Sequence, residues 1–253
     1  MKILLSPAKA IDISKSLNTT NSSVPKFLPE AESLINKLRK FTPKKIGKLM
    51  SLSKDLAELN YQRYQQWKGI TSQNELNGQA AALFNGEVYR GLDAPSLTEK
   101  ELMLAQENIR ILSGIYGILK PLDIIYPYRL EMGTKWAVTP SKSNLYKFWG
   151  TKIAEALNAE NHDGVIINLA SSEYFKAVDK KKLKGKVITP VFKDFSNGEY
   201  KMVMVYAKKA RGFMARYIIK NNITDAEQIK SFNTEGYLFD ANQSTDSEWV
   251  FTR

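Results

Sequence analysis

The chain has 253 residues, of which 43% are hydrophobic and 25% charged, an ordinary globular composition long enough to bury a substantial core. It has no cysteine and one histidine, which excludes disulfides, thiolate metal sites and thiol redox chemistry and argues against a Ser-His-Asp triad. Lysine and arginine number 37 against 26 acidic residues, a net charge of +11, which favours anionic partners unless the surface is basic without any specific partner.

The N-terminal quarter of the chain is predicted to hold one strand followed by helices. The short apolar run Lys2–Leu5 predicts the strand, and Lys9 follows it in a position suited to an anion. The polar, turn-rich segment Ile13–Pro25 predicts a mobile loop. Apolar residues at helical spacing over Leu28–Lys68 predict helices.

One of these helices opens in the segment FTPKKIGKLM, Phe41–Met50. Thr42 is the predicted N-cap and Pro43 the first helical residue. The segment also weakly resembles a helix-hairpin-helix, in which loop amides bind phosphate, although Lys44 stands where a glycine is usual. A simple capped helix is the competing interpretation.

Turn residues surround aromatic residues in Pro121–Thr134. Arg129 and Glu131 lie two residues apart there, so on an extended backbone they point to one face and can pair. The pair is a candidate site feature, and a purely structural ion pair in a loop is the equally weighted alternative.

The segment GVIINLASSEYFKAV, Gly164–Val178, predicts a buried strand running directly into a helix. Asn168 and Glu173 then lie at the carboxyl end of the strand, where sheets of this class open onto a ligand crevice. The serines between them can equally act as N-caps, and Glu173 can favour the helix dipole.

A helix is predicted over Ala207–Asn221, AKKARGFMARYIIKN. Its projection places apolar residues on one face and four cations, with no acid among them, on the other. Gly212 and Ala215 lie within the cationic face, which predicts a shallow bay for a phosphate; the alternative is that the glycine makes room for another element. We expect Asn168, Glu173 and Tyr174 to lie near this face.

Strands are also predicted over Val187–Phe192 and Tyr200–Val205, with weak edge strands over Gly236–Phe239 and Trp249–Phe251. The predicted class is α/β or mixed α+β, a central mixed sheet with helical cover, in a single domain over residues 1–253. Without a signal peptide or a membrane-length apolar run, the prediction is a soluble cytoplasmic protein. The standard nucleotide-binding loops GxxxxGK[ST] and GxGxxG are missing.

A set of stretches spans nearly the whole chain in order: MKILLSPAK, LFNGEVYRGLDA, LSGIYGILKPLDIIYPYRLEMGT, LYKFWG, INLASSEYFKAV, FKDFSNGEYK, YAKKARGFMARYI and the terminal GY…WVFTR. In these stretches the chain resembles the peroxide stress protein YaaA family. The resemblance implies a bacterial cytosolic protein linked to surviving hydrogen peroxide and limiting free intracellular iron. It also implies DNA binding through a positively charged cleft, and an unusual α/β "cantaloupe" fold with a helix-hairpin-helix element.

Two functions stay open: binding of duplex or branched DNA with little base specificity, or an enzyme acting on nucleic acid or a nucleotide with Glu173 or Glu131 as general acid or base. The predicted anion-binding residues are Lys9, Lys44, Lys45, Lys48, Arg129, Lys193, Lys208, Lys209, Arg211 and Arg216. The predicted pocket residues are Asn85, Tyr128, Asn168, Tyr174 and Gly212. No metal or cofactor is predicted, no membrane partner is expected, and the oligomeric state stays open.

Overall fold

The computed structural model describes residues 1–70, 73–162 and 164–253. The strands in chain order are Lys2–Leu5 (β1), Ala10–Ile11 (β2), Gly78–Gln79 (β3), Phe84–Asn85 (β4), Ile109–Ser113 (β5), Gly117–Leu119 (β6), Ile124–Ile125 (β7), Val165–Leu169 (β8), Lys186–Ser196 (β9), Glu199–Lys201 (β10), Leu238–Asp240 (β11) and Glu248–Thr252 (β12). The α-helices are Leu28–Leu38 (α1), Pro43–Met50 (α2), Lys54–Gln66 (α3), Ala80–Leu83 (α4), Glu87–Leu92 (α5), Glu99–Asn108 (α6), Leu145–Trp149 (α7), Lys152–Glu160 (α8), Ser172–Phe175 (α9) and Met204–Lys220 (α10). Short 3-10 helices span Ala94–Ser96, Ala226–Ser231 and Thr234–Gly236.

The main sheet has eight strands in the described part of the chain, in the order β11-β12-β9-β8-β1-β5-β6 with β10 paired to β9. The five inner strands from β12 to β5 run parallel, and β6, β10 and β11 are antiparallel to their neighbours. In the centre, Ile3 of β1 is in register with Ile109 on one side and Ile167 on the other. This mixed α/β architecture with helical cover is the predicted fold class.

Burial explains why the central strands read as continuous apolar runs. Ile3, Leu4 and Leu5 of β1 have no exposed surface, because parallel strands in the middle of a sheet are covered on both faces. The hydrophobic core reaches from Met1 to Phe251. Two pairs of short strands, β2 with β4 and β3 with β7, lie outside the main sheet.

The helices predicted over Leu28–Lys68 are α1, α2 and α3. Thr42 caps α2 as predicted, since its side chain accepts a hydrogen bond from the Lys45 amide at 3.3 Å and Pro43 begins the helix. Helices α2 and α3 pack against each other across a three-residue connection, Ser51–Ser53. The resemblance to a helix-hairpin-helix stays a prediction.

The predicted bay on α10 is wrong. Gly212 and Ala215 are buried, and α10 packs closely against α5. A Cβ on Gly212 would clash with the Val88 carbonyl oxygen and lie 2.7 Å from the Leu92 amide nitrogen, while one on Gly91 would lie 2.9 Å from the Phe213 nitrogen. The two glycines therefore let two helix backbones touch, and the alternative interpretation of Gly212 holds.

The predicted strand over Tyr200–Val205 is correct only at its start. Strand β10 ends at Lys201, because the chain turns into α10 at Met204. Its partner β9 is longer than predicted, and the two are joined by a tight turn at Asn197 and Gly198, both with positive φ. At the C-terminus, β11 lies at the sheet edge as predicted, whereas β12 is inserted between β11 and β9.

The polar segment Ile13–Pro25 contains no helix or named strand, as predicted, yet its last turn is fixed to the body. Ser23 Oγ donates to an Asp123 carboxylate oxygen at 2.6 Å, and Gln79 donates to the carbonyls of Thr19 and Asn21. None of the helices in the described ranges is both long and apolar enough to cross a bilayer.

Candidate nucleic-acid interface

The candidate site lies at the carboxyl ends of the central parallel strands, where ligand crevices form in sheets of this class. Lys9 follows β1 by four residues and Glu173 follows β8 by four. After β5, Gly114 packs against the carbonyl of Leu130, which a larger residue could not approach. This contact brings the segment that contains Arg129 and Glu131 to the same edge of the sheet.

A cleft of about 1070 Å³ opens at this edge, and we call it the basic cleft. It is lined by Lys9, Phe41, Lys45, Lys48, Leu49, Met50, Ser51, Arg129, Glu131, Gly133, Thr134, Lys135, Trp136, Ala137 and Glu173. Five cations therefore face two carboxylates. Helix α2 forms one wall and the segment from Arg129 to Ala137 forms another, so the positive charge surrounds a concave surface.

Glu131 joins two of these cations. One carboxylate oxygen lies 2.7 Å from the Lys9 ammonium and the other 3.3 Å from an Arg129 terminal nitrogen. The backbone of Arg129 is fixed by a hydrogen bond that the Tyr64 hydroxyl of α3 donates to its carbonyl. The predicted pairing of Arg129 with Glu131 is present, and the pair faces the cleft.

The Arg129 guanidinium retains a free donor. Only 20% of its side chain is exposed, and among the described residues its buried Nε has no hydrogen-bond partner. Buried donors are normally paired with protein, water or ligand. An oxyanion in the cleft is the kind of group that would satisfy this nitrogen.

Glu173 stands in the first turn of α9 and fixes the opposite wall. Its carboxylate accepts a hydrogen bond from the Gly133 amide at 2.9 Å, and its backbone carbonyl accepts one from the Tyr146 hydroxyl at 3.1 Å. A Cβ at Gly133 would lie 3.1 Å from Glu173 Oε1, so a larger residue there would crowd this carboxylate.

The structure brings six of the sequence-predicted residues together around the cleft: Lys9, Lys45, Lys48, Arg129, Glu131 and Glu173. Lys44 precedes Lys45 on α2 and is exposed, but it does not line the cleft. Lys193 of β9 donates to the Gln243 side chain at 2.7 Å and also lies outside the lining.

The cations of α10 lie elsewhere. Arg216 donates to the carbonyls of Leu92 and Asp93 at 3.0 and 2.9 Å, which caps the end of α5. Burial lowers the pKa of Arg211, and the Lys209 ammonium lies 5.1 Å from the centre of the Phe213 ring. The cleft lining includes none of these three cations, nor the exposed Lys208. Contrary to the prediction, Glu173 does not face the cations of α10 in the cleft.

Four of the five predicted pocket residues, all except Gly212, form the support of the edge rather than its surface. Tyr128 shares a 2.6 Å hydrogen bond with Ser113, and burial raises its pKa well above the usual tyrosine range. The Asn168 side chain accepts from the Ala170 amide at 3.1 Å. Tyr174 is buried, with its pKa raised by burial, and Asn85 pairs with Ala10 directly after Lys9.

The cleft is also lined by Lys135, Phe41 and Trp136, which were not predicted from the sequence. The Phe41 ring carries the Lys45 ammonium 3.6 Å above its centre and meets Trp136 edge-on at 6.0 Å. The available signal was a lysine next to a tryptophan directly after the Gly133 turn. Nothing in the local pattern shows that this turn faces α2.

Comparisons with known proteins match nearly the whole length of the chain. A family model described as peroxide stress protein YaaA matches residues 1–243. The chain is 49% identical to a UPF0246 protein of Ralstonia pickettii and 49% identical to one of Colwellia psychrerythraea; both alignments cover all of this chain and 99% of the relative. A UPF0246 protein of Burkholderia pseudomallei is 46% identical, with 98% of its length covered. The chain belongs to the peroxide stress protein YaaA family.

Proposed function

We propose that the protein acts in peroxide stress by binding DNA through the basic cleft. The observation that supports this most directly is the concentration of five cations against two carboxylates in one concave surface, with the Arg129 Nε left without a partner among the described residues. DNA phosphates supply closely spaced negative charge and hydrogen-bond acceptors for such a surface. The cations in the cleft would fix the position of the backbone without reading its sequence.

Helix α2 provides two of these charges. Lys45 and Lys48 are exposed and three residues apart, so they project from one side of the helix into the cleft. A lysine acts on phosphate as a point charge, and this favours affinity over base discrimination. Duplex or branched DNA, bound with little sequence preference, is therefore the proposed partner.

DNA binding also supplies a physical link to iron. A protein that neutralises phosphates releases the cations condensed around them. Ferrous iron held at the DNA backbone would be displaced in the same way, which removes it from the place where its reaction with peroxide damages DNA. This proposal needs no metal site on the protein.

The experiment compares two double variants in DNA titrations at low salt. Lys45→Ala with Lys48→Ala removes two charges from the cleft, and Lys100→Ala with Lys220→Ala removes two exposed charges from α6 and α10, outside the cleft lining. We expect the cleft variant to bind about tenfold more weakly or worse, and the control to bind as the parent does. Equal loss in both variants, or no DNA binding by the parent, would contradict the proposal.

A second candidate is an enzyme acting on nucleic acid or a nucleotide. It is favoured by the position of Glu131, which lies 2.7 Å from Lys9 in a crevice at the strand ends. Glu131→Gln separates the candidates. Removing a negative charge from a DNA-binding cleft should tighten binding by about two- to fivefold, whereas removing a general acid or base should abolish turnover without tightening binding.

A further inference from the structure

A second basic concavity lies on the other side of α9 from the basic cleft. It has a volume of about 800 Å³, and we call it the lysine groove; its cations are Lys147, Lys176, Lys180 and Lys181. Among the described residues, Asp179 is the one acid in its lining, and a carboxylate oxygen of Asp179 accepts a hydrogen bond from the Lys181 amide at 3.0 Å. The groove is therefore strongly positive, and none of the residues in the sequence-predicted set belongs to it.

The four lysines form no ion pair with any of the residues that the structure describes. Within the described ranges, none of them lies within 4.0 Å of a carboxylate, whereas Lys9 of the basic cleft does. Two of them are held above aromatic rings instead. The Lys176 ammonium lies 5.1 Å from the centre of the Tyr146 ring, and that of Lys180 lies 5.1 Å from the centre of the Phe175 ring. These contacts place the charges without neutralising them.

The lysine groove and the basic cleft meet at α9. Ser172 lines the groove, and the next residue, Glu173, lines the cleft. The Tyr146 hydroxyl on the groove side donates to the Glu173 carbonyl at 3.1 Å, so the two surfaces are separated by one short helix. A polyanion that occupies the cleft reaches the groove by crossing this ridge.

The lining of the groove indicates which form of nucleic acid it takes. Besides its lysines it contains the half-buried Tyr146 ring and an apolar floor that includes the largely buried Phe175, Ala177 and Val178. In a duplex the base faces are stacked inside the helix, so they cannot contact this apolar floor. A single strand exposes base faces beside its phosphates, and sites for single strands combine cations with aromatic and apolar surfaces.

We propose that the lysine groove binds a single-stranded segment of nucleic acid that continues from the DNA in the basic cleft. The inference rests on the proposed function, because it assumes that the cleft holds DNA. It gives that function a substrate class: junctions between duplex and single strand, as at gaps, overhangs and branches. The protein then binds such junctions more tightly than an uninterrupted duplex.

The experiment measures fluorescence anisotropy with a blunt duplex and with the same duplex carrying a single-stranded extension, tested with either polarity. We expect the parent to bind the extended probe about tenfold more tightly, with a steeper dependence on salt. Lys176→Ala with Lys180→Ala should abolish that preference and leave affinity for the blunt duplex unchanged. The control, Lys100→Ala with Lys220→Ala, should keep both.

The outcomes separate this inference from the proposed function. If the cleft variant at Lys45 and Lys48 loses the blunt duplex while the groove variant keeps the full preference for the extension, the groove is not the single-strand site and only this inference fails. A parent that binds neither probe overturns both. A groove variant that retains the preference but loses binding to phosphatidylserine vesicles assigns the groove to a membrane surface instead.

Discussion

At the scale of single residues, Gly91 of α5 and Gly212 of α10 allow two helix backbones to touch, because a Cβ on either glycine would meet backbone atoms of the other helix. The projection of α10 correctly places Met214 and Ile218 in the core. It also leaves Gly212 on the far side, among cations, where an empty surface is the natural expectation. The element that packs on that side is α5, more than a hundred residues away in the chain. The periodicity of α10 therefore does not predict this contact.

Gly212→Ala should therefore destabilise the fold. The added Cβ meets backbone atoms of Val88, Gly91 and Leu92, which cannot move aside as a flexible side chain can. We expect a loss of about 1–3 kcal/mol from overpacking despite the better helix propensity of alanine. Thermal unfolding of the parent and the variant measures this loss.

The matched control is Gly47→Ala in α2, where the new Cβ would lie 3.2 Å from the Ala57 Cβ and 3.5 Å from the Leu52 carbonyl oxygen, both farther away than the backbone atoms around Gly212. Its melting temperature should change less, because the gain in helix propensity offsets a contact that is less close than those at Gly212. A Gly212→Ala variant as stable as the parent would mean that α5 and α10 can separate without cost.

At the scale of elements, α8 is tied to the central sheet by a partly buried ion pair. Arg110 of β5 is 3% exposed and donates through Nε and Nη2 to one carboxylate oxygen of Glu160, at 2.7 and 2.6 Å. Burial alone would raise the pKa of the Glu160 carboxyl, but the charge and hydrogen bonds of Arg110 outweigh it and hold the pKa below its ordinary value. Folding thus favours the ionised form of Glu160.

Glu160→Gln should lower the free energy of unfolding by roughly 1.5–3 kcal/mol at neutral pH, since it removes a charged hydrogen-bond partner from Arg110. A carboxyl whose pKa is lowered by folding stabilises the protein above its unfolded pKa, and that contribution is lost as the pH falls through the folded value. The difference between the parent and the variant should accordingly shrink in acid. Urea unfolding at neutral and acid pH measures it.

Glu155→Gln on the same helix is the control, because Glu155 is exposed and has no salt bridge within the described ranges. It should leave stability nearly unchanged at both pH values. If Glu160→Gln behaved like this control, Arg110 would be satisfied by its bonds to the carbonyls of Gln106 and Ile109 alone.

The elements that sequence analysis predicted best are those whose signals are local. Thr42 and Pro43 define the start of α2 within two residues, and the strand over Gly164–Leu169 is a continuous apolar run. Strand β5 was missed because Arg110 interrupts its apolar pattern. Arg110 is buried in a strand of the sheet, where it pairs with Glu160 of α8. Glu160 lies fifty residues away in the sequence, so the local pattern around Arg110 does not predict a buried strand there.

At the scale of the whole molecule, the part of the site that could be predicted from sequence is the part determined by the order of the parallel strands in the sheet. Residues that follow neighbouring parallel strands meet at one edge, which brings Lys9 and Glu173 together. The contribution of α2 and of Lys135 depends on how the helical N-terminal region and the turn at Gly133 fold over that edge. The charges of α10 looked equally suitable in sequence, and packing against α5 places Arg216 on backbone carbonyls instead.

The salt dependence of DNA binding tests whether the net charge of +11 acts as a whole or through the cleft. Each neutralised phosphate of a duplex contributes about −0.9 to the slope of log affinity against log salt. The five cations of the cleft therefore set a slope no steeper than about −4.5 for a blunt duplex. Lys45→Ala with Lys48→Ala should make that slope shallower by about two, and Lys100→Ala with Lys220→Ala should leave it unchanged. A slope near −10 that both variants reduce equally would place binding on the general basic surface, since charges outside the cleft would then contribute as much as those within it.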